Sequence, residues 1–124
     1  MATRHEPGMR LPDELELLAL LGEPRVEDAE QPWRYNHLVF VTGSNRDEVE
    51  IQLWPSHGDM QVHWEKGGVS LVSLQLAGVD GLYVETEKGR EYLVVGFEED
   101  SRIRPPRIQL RPRVSIYWGT ETWP

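Results

Sequence analysis

The chain has no cysteine. Disulfides, thiolate metal sites, a cysteine nucleophile and iron–sulfur ligation are therefore excluded, and the fold stands on packing alone. Long apolar runs are missing too. The longest, Leu17 to Leu21, is far too short to cross a bilayer, and the N-terminus MATRHEPGMRLPDE has no apolar stretch after its basic residues. A soluble, cytoplasmic protein is expected. The sequence contains no G-x-S-x-G elbow, P-loop, G-x-G-x-x-G, H-E-x-x-H or EF-hand loop, so the common hydrolase, nucleotide-binding, zinc and calcium signatures are absent. No catalytic residue, cofactor or metal is expected, and binding is favoured over catalysis. Lysine is scarce: eleven of the thirteen basic residues are Arg, which together with nine Pro fits a high-GC, bacterial genome and carries no functional information.

What is present fits one domain spanning residues 1–124. A chain of 124 residues buries roughly two thirds of the surface that its unfolded form exposes, enough for one core. The net charge of −8 opposes non-specific binding to nucleic acid or to an anionic membrane and suits a basic protein partner. The charge is uneven. Residues 1–100 carry 20 acidic and 8 basic groups, whereas residues 101–124 carry 1 and 5.

The segment 1–10 reads as a flexible N-terminus and 11–22 as a helix. Pro12 suits a first helical turn, Asp13, Glu14 and Glu16 complement the positive end of the dipole, and Gly22 with Pro24 ends the element. Leu11, Leu15, Leu18 and Leu21, with Leu17 alongside, form the expected apolar stripe. The acidic, aperiodic stretch EPRVEDAEQP reads as a solvated loop.

Residues 36–118 then read as an antiparallel β meander. HLVFVT and DEVEIQLW flank the turn residues GSNR and make a hairpin, with Val49, Ile51 and Leu53 on its inner face. VSLVSLQLAGV, LYVETE, REYLVVGFE, RIQLR and VSIYWG continue the pattern, and Leu93, Val94 and Val95 are apolar on both faces as in a central strand. The fold class is mainly β: about eight antiparallel strands in a strongly curved sheet or flattened barrel, with one short N-terminal helix. Leu15, Leu18, Val62, Trp64, Val94, Ile116 and Trp118 are expected to be buried with the hairpin residues. No fixed-period repeat is present.

WPSHGDMQVHWEKGG, residues 54–68, concentrates His57, Asp59, His63 and Glu65, a set that suits nitrogen and oxygen metal ligation or an acid/base pair. Yet Met60, Val62 and Trp64 alternate with Asp59, Gln61, His63 and Glu65, the pattern of a strand with one solvated face. His63 would lie roughly 13 Å along that strand from Asp59, too far to share an ion. A cupin-like reading also fails, since only His57-x-Asp59 occurs where a His-x-His pair is needed.

Of the five tryptophans, Trp64 and Trp118 fall on apolar faces. Trp54 falls on a polar face and is the best candidate for exposure, ahead of Trp33, Tyr35 and Trp123. In RIRPPRIQLRPRV, Arg107, Gln109 and Arg111 share one face, within reach of Glu85, Glu87 and Glu91 on neighbouring strands. These arginines are therefore expected to be structural rather than a nucleic-acid strip.

Three function classes follow. The first is a small acidic, non-catalytic interaction protein docking a basic partner through Glu27, Asp28, Glu30, Asp47, Glu48, Glu50 and Trp54; residues 27–50 hold six acids against two arginines. In general build, though in no quotable motif, such a chain resembles the immunity proteins of bacterial toxin systems. The second is a β-barrel-like binder of a small ligand, which requires an apolar cavity. The third is a metal-dependent or acid/base enzyme using His57 and His63. Oligomeric state leaves no trace in the sequence.

Overall fold

The computed structural model describes residues 8–97 and 103–120. One helix, α1 (Glu14–Leu21), precedes nine strands: β1 (Arg25–Val26), β2 (Leu38–Ser44), β3 (Asp47–Trp54), β4 (Asp59–Lys66), β5 (Val69–Leu76), β6 (Val79–Glu87), β7 (Arg90–Phe97), β8 (Ile103–Arg111) and β9 (Ser115–Thr120). The meander holds throughout. Every pairing within the sheets is antiparallel between consecutive strands, in one sheet of order β1-β2-β3-β4-β5 and a second of order β6-β7-β8-β9. The additional strand is β1, two residues in the stretch expected to be loop, paired with Val39 and Leu38 of β2.

The sheet does not close, and β5 and β6 do not pair. The N-terminal segment explains why. Met9 N donates to Pro55 O at 2.8 Å, Arg10 N to Asp80 O at 2.9 Å, and Leu82 N to Arg10 O at 2.9 Å, so Met9 and Arg10 cover the start of the free edge of β6, from Asp80 to Leu82, and tie it to the turn after β3. Val79 N is likewise taken by Gly58 O at 2.9 Å. Of the stretch 1–10 expected to be flexible, Gly8 to Arg10 are described, with Met9 buried and Arg10 exposed; residues 1–7 lie outside the described part. Gly8 has φ +121°, and a Cβ there would collide with Pro55 O, so this crossing needs glycine.

One apolar cluster joins the inner faces of both sheets to the helix. Leu38, Phe40, Val49, Ile51, Leu53, Met60 and Val62 come from the first sheet, and Val79, Leu82, Leu93, Val95, Ile108, Leu110 and Val114 from the second sheet and the β8–β9 turn. Central strand β7 buries Leu93, Val94 and Val95 in succession, as its two-sided apolar run requires.

Three residues expected to be buried, Leu15, Leu18 and Trp118, are not. The helix begins at Glu14, with Asp13 as its N-cap, and buries Leu17, Leu20 and Leu21, while Leu15 is 73% exposed and Leu18 only half-buried. With leucine on nearly every side, periodicity alone does not fix the helix's rotation. Trp118 is 51% exposed rather than core. It lies between Tyr117, paired with Arg107, and Gly119, paired with Arg104, opposite the Pro105–Pro106 register shift on the edge of the second sheet. Trp64 is half-buried, packed on the core with its indole Nε1 donating to Asp47 Oδ1 at 2.8 Å.

Candidate functional site

The outer face of the first sheet gathers the acidic and histidine residues singled out in the sequence. Its register follows from the turn at Pro55–Gly58. A 3-10 turn (Pro55–His57) closed by left-handed Gly58 sets Trp54 opposite Asp59, and antiparallel pairing then sets Gln52 opposite Gln61, Glu50 opposite His63 and Glu48 opposite Glu65. On the flanking strands, Val39, Val41 and Gly43 of β2 and Ser70, Ser73 and Gln75 of β5 continue these rows. The face spanned by β2 to β5 therefore carries the carboxylates of Glu48, Glu50, Asp59 and Glu65 and no Lys or Arg.

Glu48 and Glu65 are direct cross-strand partners of like charge, an arrangement that costs folding stability. Neither forms an ion pair with Lys or Arg among the described residues; Glu65 instead lies 3.4 Å from His63 Nε2.

A polar chain runs along the same face. His37 Nδ1 lies 3.9 Å from Glu27 Oε2, and His37 Nε2 lies 2.9 Å from Gln52 Oε1. Gln52 Nε2 then donates to Glu50 Oε1 at 2.9 Å. The His37 ring stacks on Trp54 with centroids 4.5 Å apart and planes within 7° of parallel. Trp54 is consequently half-buried and held in place rather than freely exposed.

The loop bearing Glu27, Asp28 and Glu30 is shaped by buried Asn36. Its Oδ1 accepts from Glu27 N and Asp28 N, each at 3.0 Å, and its Nδ2 donates to Asp28 O at 2.6 Å and Gln31 O at 3.0 Å. Glu27, Asp28 and Glu30 are thereby held exposed at the β1 end of the sheet. Asp47 stands apart, at an inward register position and bonded to Trp64.

The dense stretch of the sequence does not converge. His57 is exposed on the 3-10 turn, Asp59 begins β4, and His63 and Glu65 lie further along it. Among the described residues, no three His, Asp or Glu side chains gather as a metal set. Open clefts lie at two places among the described residues. One of about 630 Å³ lies between the end of α1, the β2–β3 turn and Arg111. The other, of about 600 Å³, lies beneath Trp54 and Asp59. Neither is an enclosed apolar cavity of the kind that a small-ligand barrel needs.

Two arginines of the basic segment are paired with carboxylates. Arg107 donates to Glu85 at 3.1 Å and lies 4.2 Å over the ring of buried Tyr92, and Arg111 grips Glu91 with two hydrogen bonds of 3.0 and 2.8 Å. These contacts neutralise Arg107 and Arg111 within the second sheet. Glu91, held below the usual carboxylate range by its bond to Arg111, and Arg111, raised by the same bond, mark a structural clamp.

The sequence reading missed that Glu65 and His63 join Glu48 and Glu50. The signal was available: a four-residue connection between Trp54 and Asp59 fixes that register. It also missed the Trp54–His37 stack, which spans a sequence separation no local pattern reports.

The fold is thus an open, two-sheet antiparallel meander with an N-terminal helix. No family model matches the chain, and no curated protein matches it in sequence. Among solved structures it is similar to a chain of a contact-dependent growth inhibition toxin–immunity protein complex from Klebsiella pneumoniae 342. The TM-score is 0.69 over 90% of this chain and 96% of that one, at 14% identity. At that identity the likeness is one of fold. No helix among the described residues is long and apolar enough to cross a membrane.

Proposed function

We propose that the chain is a non-catalytic binding protein that docks a basic protein partner on the outer face of its first sheet, in the manner of an immunity protein. The observation that carries this reading is the direct opposition of Glu48 and Glu65, beside Glu50, on a face spanning β2 to β5 without Lys or Arg. Like charges in register weaken the free protein, and a cationic surface laid over them would relieve that cost. Glu27, Asp28 and Glu30 add carboxylates at the β1 end, beside exposed Arg25 opposite Val39, Trp54 supplies an anchored aromatic, and Asp47 contributes charge rather than contact. The fold likeness supports the reading because this architecture occurs in a toxin–immunity protein complex. The partner is a protein, met in the cytoplasm, and no nucleic acid takes part.

The test is affinity capture from host lysate, with Glu48→Lys/Glu50→Lys as the paired bait, followed by association kinetics on any stoichiometric partner. A basic protein should be captured by the wild type and lost by the variant. Its association rate should fall as salt rises, since the Debye length shrinks from about 10 Å at 0.1 M to about 3 Å at 1 M. A partner indifferent both to salt and to the two substitutions would place the interface elsewhere.

A further inference from the structure

We propose that the cleft beneath the Trp54–Asp59 pair is a socket for one arginine side chain of the basic partner, an inference that rests on the docking reading above. The cleft, about 600 Å³, is bordered by Trp54, Asp59, Gln61, Gln75, Leu76 and Ala77, with His57 and Met60 completing it, and no Lys or Arg lines it. Its parts match a guanidinium group and its stem. Asp59 is exposed, and its carboxylate has no hydrogen-bond or ion-pair partner among the described residues. It stands directly opposite Trp54 in the β3–β4 register, so a charge at the carboxylate lies beside the indole.

Trp54 is fixed by its stack on His37, which is itself tied to Gln52, so the aromatic wall is ordered before any partner arrives. Gln61 and Gln75, in register with one another, supply amide oxygens that can accept the guanidinium donors left over from the carboxylate. Leu76 and Ala77 offer apolar surface for the methylene stem.

The chemistry selects arginine over lysine. A planar fork can engage both carboxylate oxygens while lying against an aromatic surface, whereas an ammonium group is a compact, strongly hydrated point charge. The socket sits at the Trp54 end of the acidic rows, so long-range attraction and a single anchoring side chain would act on one surface. A central aromatic or arginine anchor surrounded by weaker charge contacts is the usual division of labour at protein interfaces.

The test uses the full-length ¹⁵N-labelled protein titrated with N-acetyl-arginine-N-methylamide, its lysine counterpart and the uncharged citrulline analogue, read by amide and indole chemical shifts. The Trp54 indole resonance is assigned with Trp54→Phe. Saturable shifts at Trp54 and across residues 57–61 and 75–77 are expected with the arginine probe. Binding should weaken by at least about threefold for lysine, and no saturation should occur with citrulline. Asp59→Asn, which keeps the shape of an exposed side chain, should weaken arginine binding by at least about fivefold. Shifts spread over Glu48, Glu50 and Glu65 with Trp54 unmoved would overturn the socket while leaving the acidic docking face standing. Equal response to arginine and citrulline would overturn it as well. A saturating, Asp59-dependent response at Trp54 would uphold the socket even if the partner proved insensitive to Glu48→Lys.

Discussion

Arg111 ties three elements together through one guanidinium. It grips Glu91 of β7 in bidentate fashion and donates to Ala19 O at the end of α1 at 2.8 Å, where the helix has no basic residue in its last turn. Both partners are more than a third exposed at the side chain, 39% and 35%, so water screens the pair and Arg111→Ala should cost only about 1 kcal/mol in a urea denaturation series. The sign of its pH dependence follows from Glu91. Its folded value is depressed by Arg111, so the stabilisation is present above the unfolded value of about 4.3 and is lost as pH falls through the lower folded value. The stability advantage of the wild type over Glu91→Gln should accordingly hold at neutral pH and shrink below about pH 4. An advantage that grows on acidification would contradict the clamp. Gly58 is the second residue to test, since φ +69° and a Cβ position 3.1 Å from Val79 O disfavour any side chain there. Gly58→Ala should cost about 1 to 3 kcal/mol and, by distorting the turn that sets Trp54 opposite Asp59, shift tryptophan fluorescence as well.

At the scale of elements, α1 separates what periodicity can and cannot decide. Five leucines in eight helical residues support two stripes, and the buried one is Leu17, Leu20 and Leu21. Leu17→Ala should therefore cost about 2 to 5 kcal/mol, whereas Leu15→Ala should stay within about 0.5 kcal/mol of wild type, measured by thermal or denaturant unfolding. The reverse order would restore the stripe expected from sequence. The strands were more legible than the helix because alternation in β3 and β4 leaves one choice of face: Val49, Ile51, Leu53, Met60 and Val62 are all buried. Alternation failed at Trp118 because burial also needs a covering layer, and strand pattern says nothing about where the opposite sheet ends. The acidic residues of β3 were legible as a solvated face. Their joining with His63 and Glu65 depended on register, and their linkage to Glu27 through His37 and Gln52 depended on the loop built by Asn36.

Across the whole molecule, the two sheets treat charge in opposite ways. The second pairs Arg107 with Glu85 and Arg111 with Glu91. The first leaves Glu48 facing Glu65, with Glu50 alongside and no Lys or Arg on the same strands' outer face. That contrast sets folding against the proposed binding at one location. Glu48→Gln, which removes one member of the like-charge pair and keeps its shape, should stabilise the free protein by about 0.2 to 1 kcal/mol at low salt. The gain should fade as salt rises, because screening relieves the same repulsion in the wild type. The substitution should also slow association with the proposed basic partner, since it removes charge from the proposed docking face. Thermal unfolding of both proteins across a salt series decides the first half. A wild type whose midpoint ignores salt, or a Glu48→Gln variant no more stable than its parent, would mean that the repulsion is already compensated. An acidic face already at rest would then give a cationic partner no repulsion to relieve.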